Sequence, residues 1–336
     1  MGLSAIVTAG DLRSARAVYG ESKVYLQVEG EPLVVHVVRN LQRVPEVDEV
    51  WVVGDAGRLE AVFAEERIRK DLVKPLQIVA QFRNLYENAW ETYRRSLPGA
   101  PPEGRDPEGE DLERKALFLS ADLPFATPEE VSEFIRLGLA ADCDYALGLV
   151  PESSLLPFRP ADGRPGVDLP CFNLREGRVR QSNLHLAAPG RFGNLHYVES
   201  MYEHRHQREW GDMLGLAWEL LRSRQGGLVV AFFFALMHLA GLADRWGLRG
   251  IANSLRRGVT LGRTERALGR LLATRFRFVT TQLGGCAIDV DTEHEYDVVC
   301  QRFSEWRAQQ ASLAAKIYPS LLQPAVLAKP ASEGPN

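Results

Sequence analysis

Apolar residues follow two rhythms along this chain. Short runs rich in Val, Ile, Leu and Ala occur at residues 4–8, 47–53, 76–80, 116–120 and 145–150. The first ends at Ala9 and Gly10, the second at Gly54 and the fourth at Ala121 and Asp122. Runs of this length, bounded by small or turn-forming residues, fit strands buried on both faces. Between them, apolar positions recur at helical spacing. Residues 32–44 carry Leu33, Val37, Val38 and Leu41 on one face, and 84–96 predict a second helix. Thr127 is placed to cap a third, with Pro128 at its first position and Glu130 at N3, running to Leu139. Strands alternating with helices predict an α/β fold: a mostly parallel, Rossmann-like sheet covered by helices, with ligands at the carboxyl ends of its strands.

The remaining segments are more varied. Residues 98–114 are rich in proline, glycine and acid and are expected to form an exposed loop. Residues 151–166 read as a proline-rich loop, and 172–180 as a hairpin turning at Glu176 and Gly177. Residues 197–273 are helical in pattern and rich in arginine and tryptophan. Strand-like sequence returns at 276–281 and 287–290, a helix closes the fold at 293–317, and 323–336 is a Pro- and Ala-rich tail expected to fray. The expected organisation is one α/β domain from 1–196 and 274–320, a helical insertion at 197–273, and a flexible tail from 321.

Composition narrows the function. With 336 residues, 45% of them hydrophobic and 25% charged, the chain is globular rather than disordered. Lys plus Arg number 40 against 44 Asp plus Glu, a net charge of −4, which argues against a general nucleic-acid binder. Cys143, Cys171, Cys286 and Cys300 are widely spaced, without the pairing of a zinc site or a disulfide framework. The first ten residues lack the long apolar core of a signal peptide, so a cytoplasmic protein is expected.

Three places carry candidate chemistry. At the first, Thr8, Ala9, Gly10 and Asp11 follow a buried strand, with Arg13, Arg16 and Lys23 close behind. Backbone N–H groups in a glycine turn can face an anion, and a lysine a dozen residues on can return to it. Neither a P-loop nor a dinucleotide fingerprint is present. A plain strand-to-helix turn with an exposed lysine accounts for the same residues. At the second, Asp122 ends a strand, where it could hold Mg2+ on a triphosphate or simply turn the chain toward Thr127. At the third, Asp289 and Asp291 alternate on an expected strand and could add a metal ligand; Asp291 or Thr292 could instead cap the last helix.

Other clusters are less specific. Arg175, Arg178, Arg180 and Asn183 crowd the hairpin with Gln181, Ser182 and His185. Of these, Arg178, Arg180 and Asn183 suit a phosphorylated acceptor, and a solvated hairpin face is the alternative. His196, His204 and His206 fit a charge-mixed helix better than a metal site. The apolar run at 226–243, with arginines following to residue 257, is expected to pack on protein, as a core or homodimer helix, or to rest on an anionic membrane surface rather than cross a bilayer.

Taken together, Ala9-Gly10 with Arg, Lys23 and Gly30-Glu-Pro-Leu33, then Ala121-Asp122-Leu-Pro124, then Asp289-Val-Asp291-Thr292 before a terminal helix resemble the MobA-like nucleotidyltransferases of the GT-A type fold. The resemblance covers residues 1–150 and 284–306 and is weak from 190 to 280. It implies that Gly10 and its neighbours Thr8, Ala9 and Asp11 cradle a nucleoside triphosphate and that Lys23 contacts phosphate. It further implies that Asp122 binds Mg2+ with Asp289 as second ligand. Thr8 and Leu12 depart from the family's loop, and the phosphate-contacting arginine is either Arg13 or Arg16. The implied activity joins the nucleotide of an NTP to a sugar or polyol phosphate, releasing pyrophosphate. A glycosyltransferase on the same fold is the nearest alternative, although it would favour Asp-x-Asp where this chain has Ala-Asp122-Leu. A catalytically silent nucleotide-binding or membrane-associated regulator is another.

Overall fold

The protein is described here by a computed structural model covering residues 2–10, 17–194, 232, 236, 239, 243, 246 and 248–319. The central strand, β1 (Leu3–Ala9), buries both faces, as its apolar run predicts. On one side it pairs in parallel with β2 (Val47–Gly54), which pairs in parallel with β3 (Leu76–Ala80). On its other side lies β4 (Ala116–Ser120), also parallel. β5 (Tyr145–Pro151), β6 (Phe172–Leu174), β7 (Gly177–Ala187) and β8 (Phe276–Thr280) complete the sheet. Among the described residues its order is β8-β5-β7-β4-β1-β2-β3, with β6 hydrogen-bonded to β7. β7 runs antiparallel between β4 and β5, and β8 is parallel to β5.

Among the described residues seven longer helices flank it: α1 (Leu33–Leu41), α2 (Ala56–Ala64), α3 (Leu85–Ser96), α4 (Pro128–Ala140), α5 (Arg249–Gly258), α6 (Leu261–Leu272) and α7 (Glu293–Ile317). Period-two alternation divides the strands between two cores. Ala5, Val7, Leu117, Leu119, Leu184 and Leu186 face α1 and α4. Ile6 and Ala116, with Phe118, meet Tyr93 of α3 and Leu97 just past its end on the opposite face. Further along that face, α6 packs Leu272 against Leu147 and Phe276. The sheet between α3 and α6 therefore presents side chains on the α3 side, where the cavity described below lies.

The boundaries of β3 and β4 match the apolar runs at 76–80 and 116–120, but other elements differ from expectation. The hairpin strand continues past Arg180 to Ala187, because its later residues pair with β4 and β5 at once. Residues 287–290 are not a strand. A 3-10 turn spans Gly285–Ala287, and the chain then runs unpaired to Asp291. Gly285 is wedged so tightly that a Cβ there would lie 1.9 Å from the Phe125 carbonyl oxygen. The loop before β4 is tied down: the Tyr93 hydroxyl donates to the carbonyls of Asp111 and Arg114. Most of the apolar run at 226–243, and His196, His204 and His206, lie outside the described residues. Among the described residues no helix is long and apolar enough to cross a membrane.

Thr127 caps α4 as expected, accepting the Glu130 N–H at 3.2 Å. The Glu130 side chain does not turn back to complete a capping box. It accepts from Thr281 Oγ1 at 3.2 Å and from the Cys286 N–H at 3.0 Å, pinning the 285–287 turn to α4. Burial pushes the Glu130 carboxyl up to about 7 from its ordinary 4.5, although the bonds from Cys286 and Thr281 favour its charged form. Between about pH 4.5 and pH 7 the folded protein keeps a proton that the unfolded chain has lost. The stabilisation is thus complete below the lower value and is lost as pH rises through the upper one. Glu130→Gln cannot ionise. Its unfolding free energy relative to wild type should rise by up to about 3 kcal/mol between pH 4.5 and pH 7.5. Urea denaturation at a series of pH values reads this, and a constant difference would contradict it.

Candidate functional site

A cavity of about 240 Å3 opens at the carboxyl ends of β1 and β4 and extends along the sheet. Its charged end is assembled from three distant parts of the chain. The first follows β1. Ala17–Val18 pairs with Glu21–Ser22, and Gln27–Val28 with Glu31–Pro32, as two miniature hairpins. They turn at Tyr19-Gly20 and Glu29-Gly30, where all four residues have positive φ, as type I′ turns require. The single 3-10 turn between them carries Lys23 into the cavity.

Lys23 Nζ lies 2.8 Å from Asp122 Oδ2 and 2.6 Å from Asp291 Oδ1. Its side chain is 12% exposed, which corrects the expectation of a surface lysine; two carboxylates hold the ammonium inside. Burial alone would lower its pKa, but Asp122 and Asp291 together hold it above the ordinary lysine value. The other Asp122 oxygen accepts from Ser120 Oγ. Asp122 itself is buried, at the point where β4 ends and the chain turns toward Thr127. Asp291 leaves the capping of α7 to Thr292, which accepts the Glu295 N–H at 3.2 Å. Asp289 lines the same cavity and pairs with Arg180, whose Nη2 is 3.0 Å from its Oδ1. Arg180 Nε also donates to the Ala287 carbonyl at 3.0 Å, fixing the chain before Asp289.

The nucleotide-side candidates are partly visible. Thr8 and Gly10 line the cavity, whereas Ala9 is buried in the core. A Cβ on Gly10 would lie 2.7 Å from Asn88 Nδ2 and would displace that amide. Asn88 Oδ1 in turn accepts the Phe82 N–H at 2.6 Å, tying the segment after β3 to α3. Asn84 caps α3 by accepting the Glu87 N–H at 2.8 Å. Asp11, Arg13 and Arg16 lie outside the described residues. On the acceptor side, Asn183 lines the cavity. Arg178 pairs with Glu152 at 3.0 Å and is not part of the lining, and Arg180 meets the cavity through Asp289.

Sequence reasoning missed Gln81, Asn84 and Asn88, as well as the aromatic lining of Trp90, Phe118 and Tyr145. Asn84 and Asn88 did carry a signal: two amides four residues apart, at the start of a helix that follows a parallel strand.

No protein-family model matches the sequence, and no curated protein matches it. Among solved structures, the fold is similar to a hypothetical transferase from Thermus thermophilus, at 21% identity over 88% of this chain and 100% of that one, with a TM-score of 0.53. It is similar, more loosely, to 4-diphosphocytidyl-2C-methyl-D-erythritol synthase from Anaerococcus prevotii, at 12% identity over 90% and 98% of the two chains, with a TM-score of 0.45. A further similarity is to CMP:2-keto-3-deoxy-manno-octonic acid synthetase complexed with CTP, at 13% identity over 93% and 98%, with a TM-score of 0.42. The Thermus likeness is one of fold: an α/β protein built on a mostly parallel, helix-covered sheet.

Lys23→Ala would leave the buried Asp122 carboxylate without its counter-ion and should cost about 3 kcal/mol of unfolding free energy. Adding Asp122→Asn to the same chain should recover most of that loss, since no uncompensated charge remains. Urea denaturation of the single and double variants decides the point. Losses that simply add would contradict the pairing.

Proposed function

We propose that this protein is a nucleotidyltransferase that joins the nucleotide of an NTP to a phosphorylated small molecule and releases pyrophosphate. The observation that carries this is the meeting of Lys23, Asp122, Asp289 and Asp291 in one cavity, beside Gly10, at the carboxyl ends of parallel strands. That is where ligands bind in sheets of this kind.

Among the described residues, no group of three or more carboxylate, imidazole or thiol side chains forms a complete metal cage. Mg2+ needs less: one or two carboxylates, with phosphate oxygens and water filling the other positions. Asp122 and Asp289, with Asp291 beside them, are hard oxygen donors in one cavity and meet that requirement. Bound there with a triphosphate, Mg2+ would neutralise charge on the phosphate oxygens.

The chain's own residues supply the rest. The nucleoside lies between Gly10 and the segment 81–88, where Gln81, Asn84 and Asn88 offer amides to a base or ribose. Lys23 donates its Nζ–H groups to non-bridging phosphate oxygens, countering the charge that moves onto the departing pyrophosphate. By the family resemblance, Asp11 and either Arg13 or Arg16, which lie outside the described residues, would contact the nucleotide. An acceptor phosphate oxygen attacks the α-phosphorus in line. The new O–P bond forms as the bond to the bridging oxygen breaks, and the electron pair leaves with pyrophosphate. Because the attacking oxygen is already anionic, the site needs no strong general base, and positioning dominates.

Pyrophosphate release should appear with one of the four NTPs, in Mg2+, against a panel of phosphorylated acceptors. Asp122→Asn should abolish it while leaving the circular dichroism spectrum unchanged. Turnover at the wild-type rate in Asp122→Asn would remove that residue from the mechanism, and silence of the wild type across the whole panel would count against the function itself.

A further inference from the structure

Beyond the charged cluster the cavity continues down the sheet face between α3 and α6, and its chemistry changes. Asn183, His185 and Ala187 of β7 all line it, at the period-two spacing of one strand face. Four residues of strand span roughly 13 Å. Phe118 lies beside His185 across the ladder to β4, and Tyr145 beside Ala187 across the ladder to β5. Phe192 closes the far end, its ring centroid 5.4 Å from that of Tyr145. The lining of this stretch carries no Lys, Arg, Asp or Glu among the described residues; the charges gather at the Lys23 end and on the segment after β3.

The polar groups on the floor are already withdrawn from water. Asn183 is 6% exposed and His185 8%. The Tyr145 hydroxyl and His185 Nδ1 are hydrogen-bonded at 2.7 Å, with the two rings stacked. Covering this floor with an apolar group therefore adds little desolvation cost, whereas each hydroxyl of a sugar would need a partner that an aromatic wall does not offer.

We infer that this trough seats the body of the acceptor, and that the acceptor is the phosphomonoester of an extended apolar alcohol rather than a sugar or open polyol phosphate. The inference rests on the nucleotidyl-transfer reading for the role of the phosphate at the Lys23 end. The apolar body lies along β7, which places the phosphate toward Asp122.

Calorimetric titration of the nucleotide-free protein with a series from methyl to octyl phosphate, below micelle formation, tests it. The dissociation constant should fall roughly fourfold with each added methylene. Ala187→Leu, which fills the floor, should flatten the series beyond its shorter members. If that variant does not fold, Phe192→Ala should make the slope shallower. An affinity independent of chain length, an equal slope in wild type and variant, or no binding of any member would overturn the inference. Chain-length-dependent binding without pyrophosphate release from any NTP plus octyl phosphate would keep the trough and remove nucleotidyl transfer.

Discussion

Three carboxylates, Asp122, Asp289 and Asp291, share one cavity, and like charges in a partly dry space repel strongly unless cations answer them. Lys23 lies between Asp122 and Asp291, and Arg180 holds Asp289. These ion pairs tie the start of the chain, the middle of the sheet and the approach to the last helix into one centre. Under the proposed function the same balance explains how a nucleotide is received. A divalent cation on the carboxylates would release the Lys23 ammonium to the phosphates, where it would offset part of their negative charge.

The frame around this centre is built to hold it. The ends of β1 and β4 bring Gly10 and Asp122 side by side, and two tight hairpins return Lys23 to them. Glu130 anchors the turn before Asp289 through Thr281 and Cys286, so a buried carboxyl on one helix positions acids that belong to another segment. β7 serves both ends of the cavity. Its early residues orient Arg180 toward Asp289, and its later ones floor the apolar trough.

The parallel core was legible in the sequence because strands covered on both faces are rich in apolar residues, as the stretch 116–120 shows. The Thr127 cap was legible for a local reason: its hydroxyl serves an N–H three residues away. The 285–291 segment was not. Ala287, Ile288 and Val290 read as a strand, but what shapes them is Glu130 and the Phe125 carbonyl, far away in sequence. The length of β7 was hidden as well, since Gln181, Ser182, Asn183 and His185 lack the apolar run that marks the other central strands, and part of the face they form borders a cavity. The burial of Lys23 depends on two carboxylates remote in sequence, which no local pattern encodes.

Under the proposed function this cluster of acids and one buried lysine receives a metal-bound triphosphate. Its most direct test is calorimetric binding of non-hydrolysable α,β-methylene analogues of the four NTPs, each with Mg2+ and with EDTA. One analogue should bind in Mg2+ and lose at least about tenfold in affinity in EDTA, because the triphosphate would then face the carboxylates with too little positive charge between them. Equal affinity in the two conditions, or no binding of any analogue, would contradict the account.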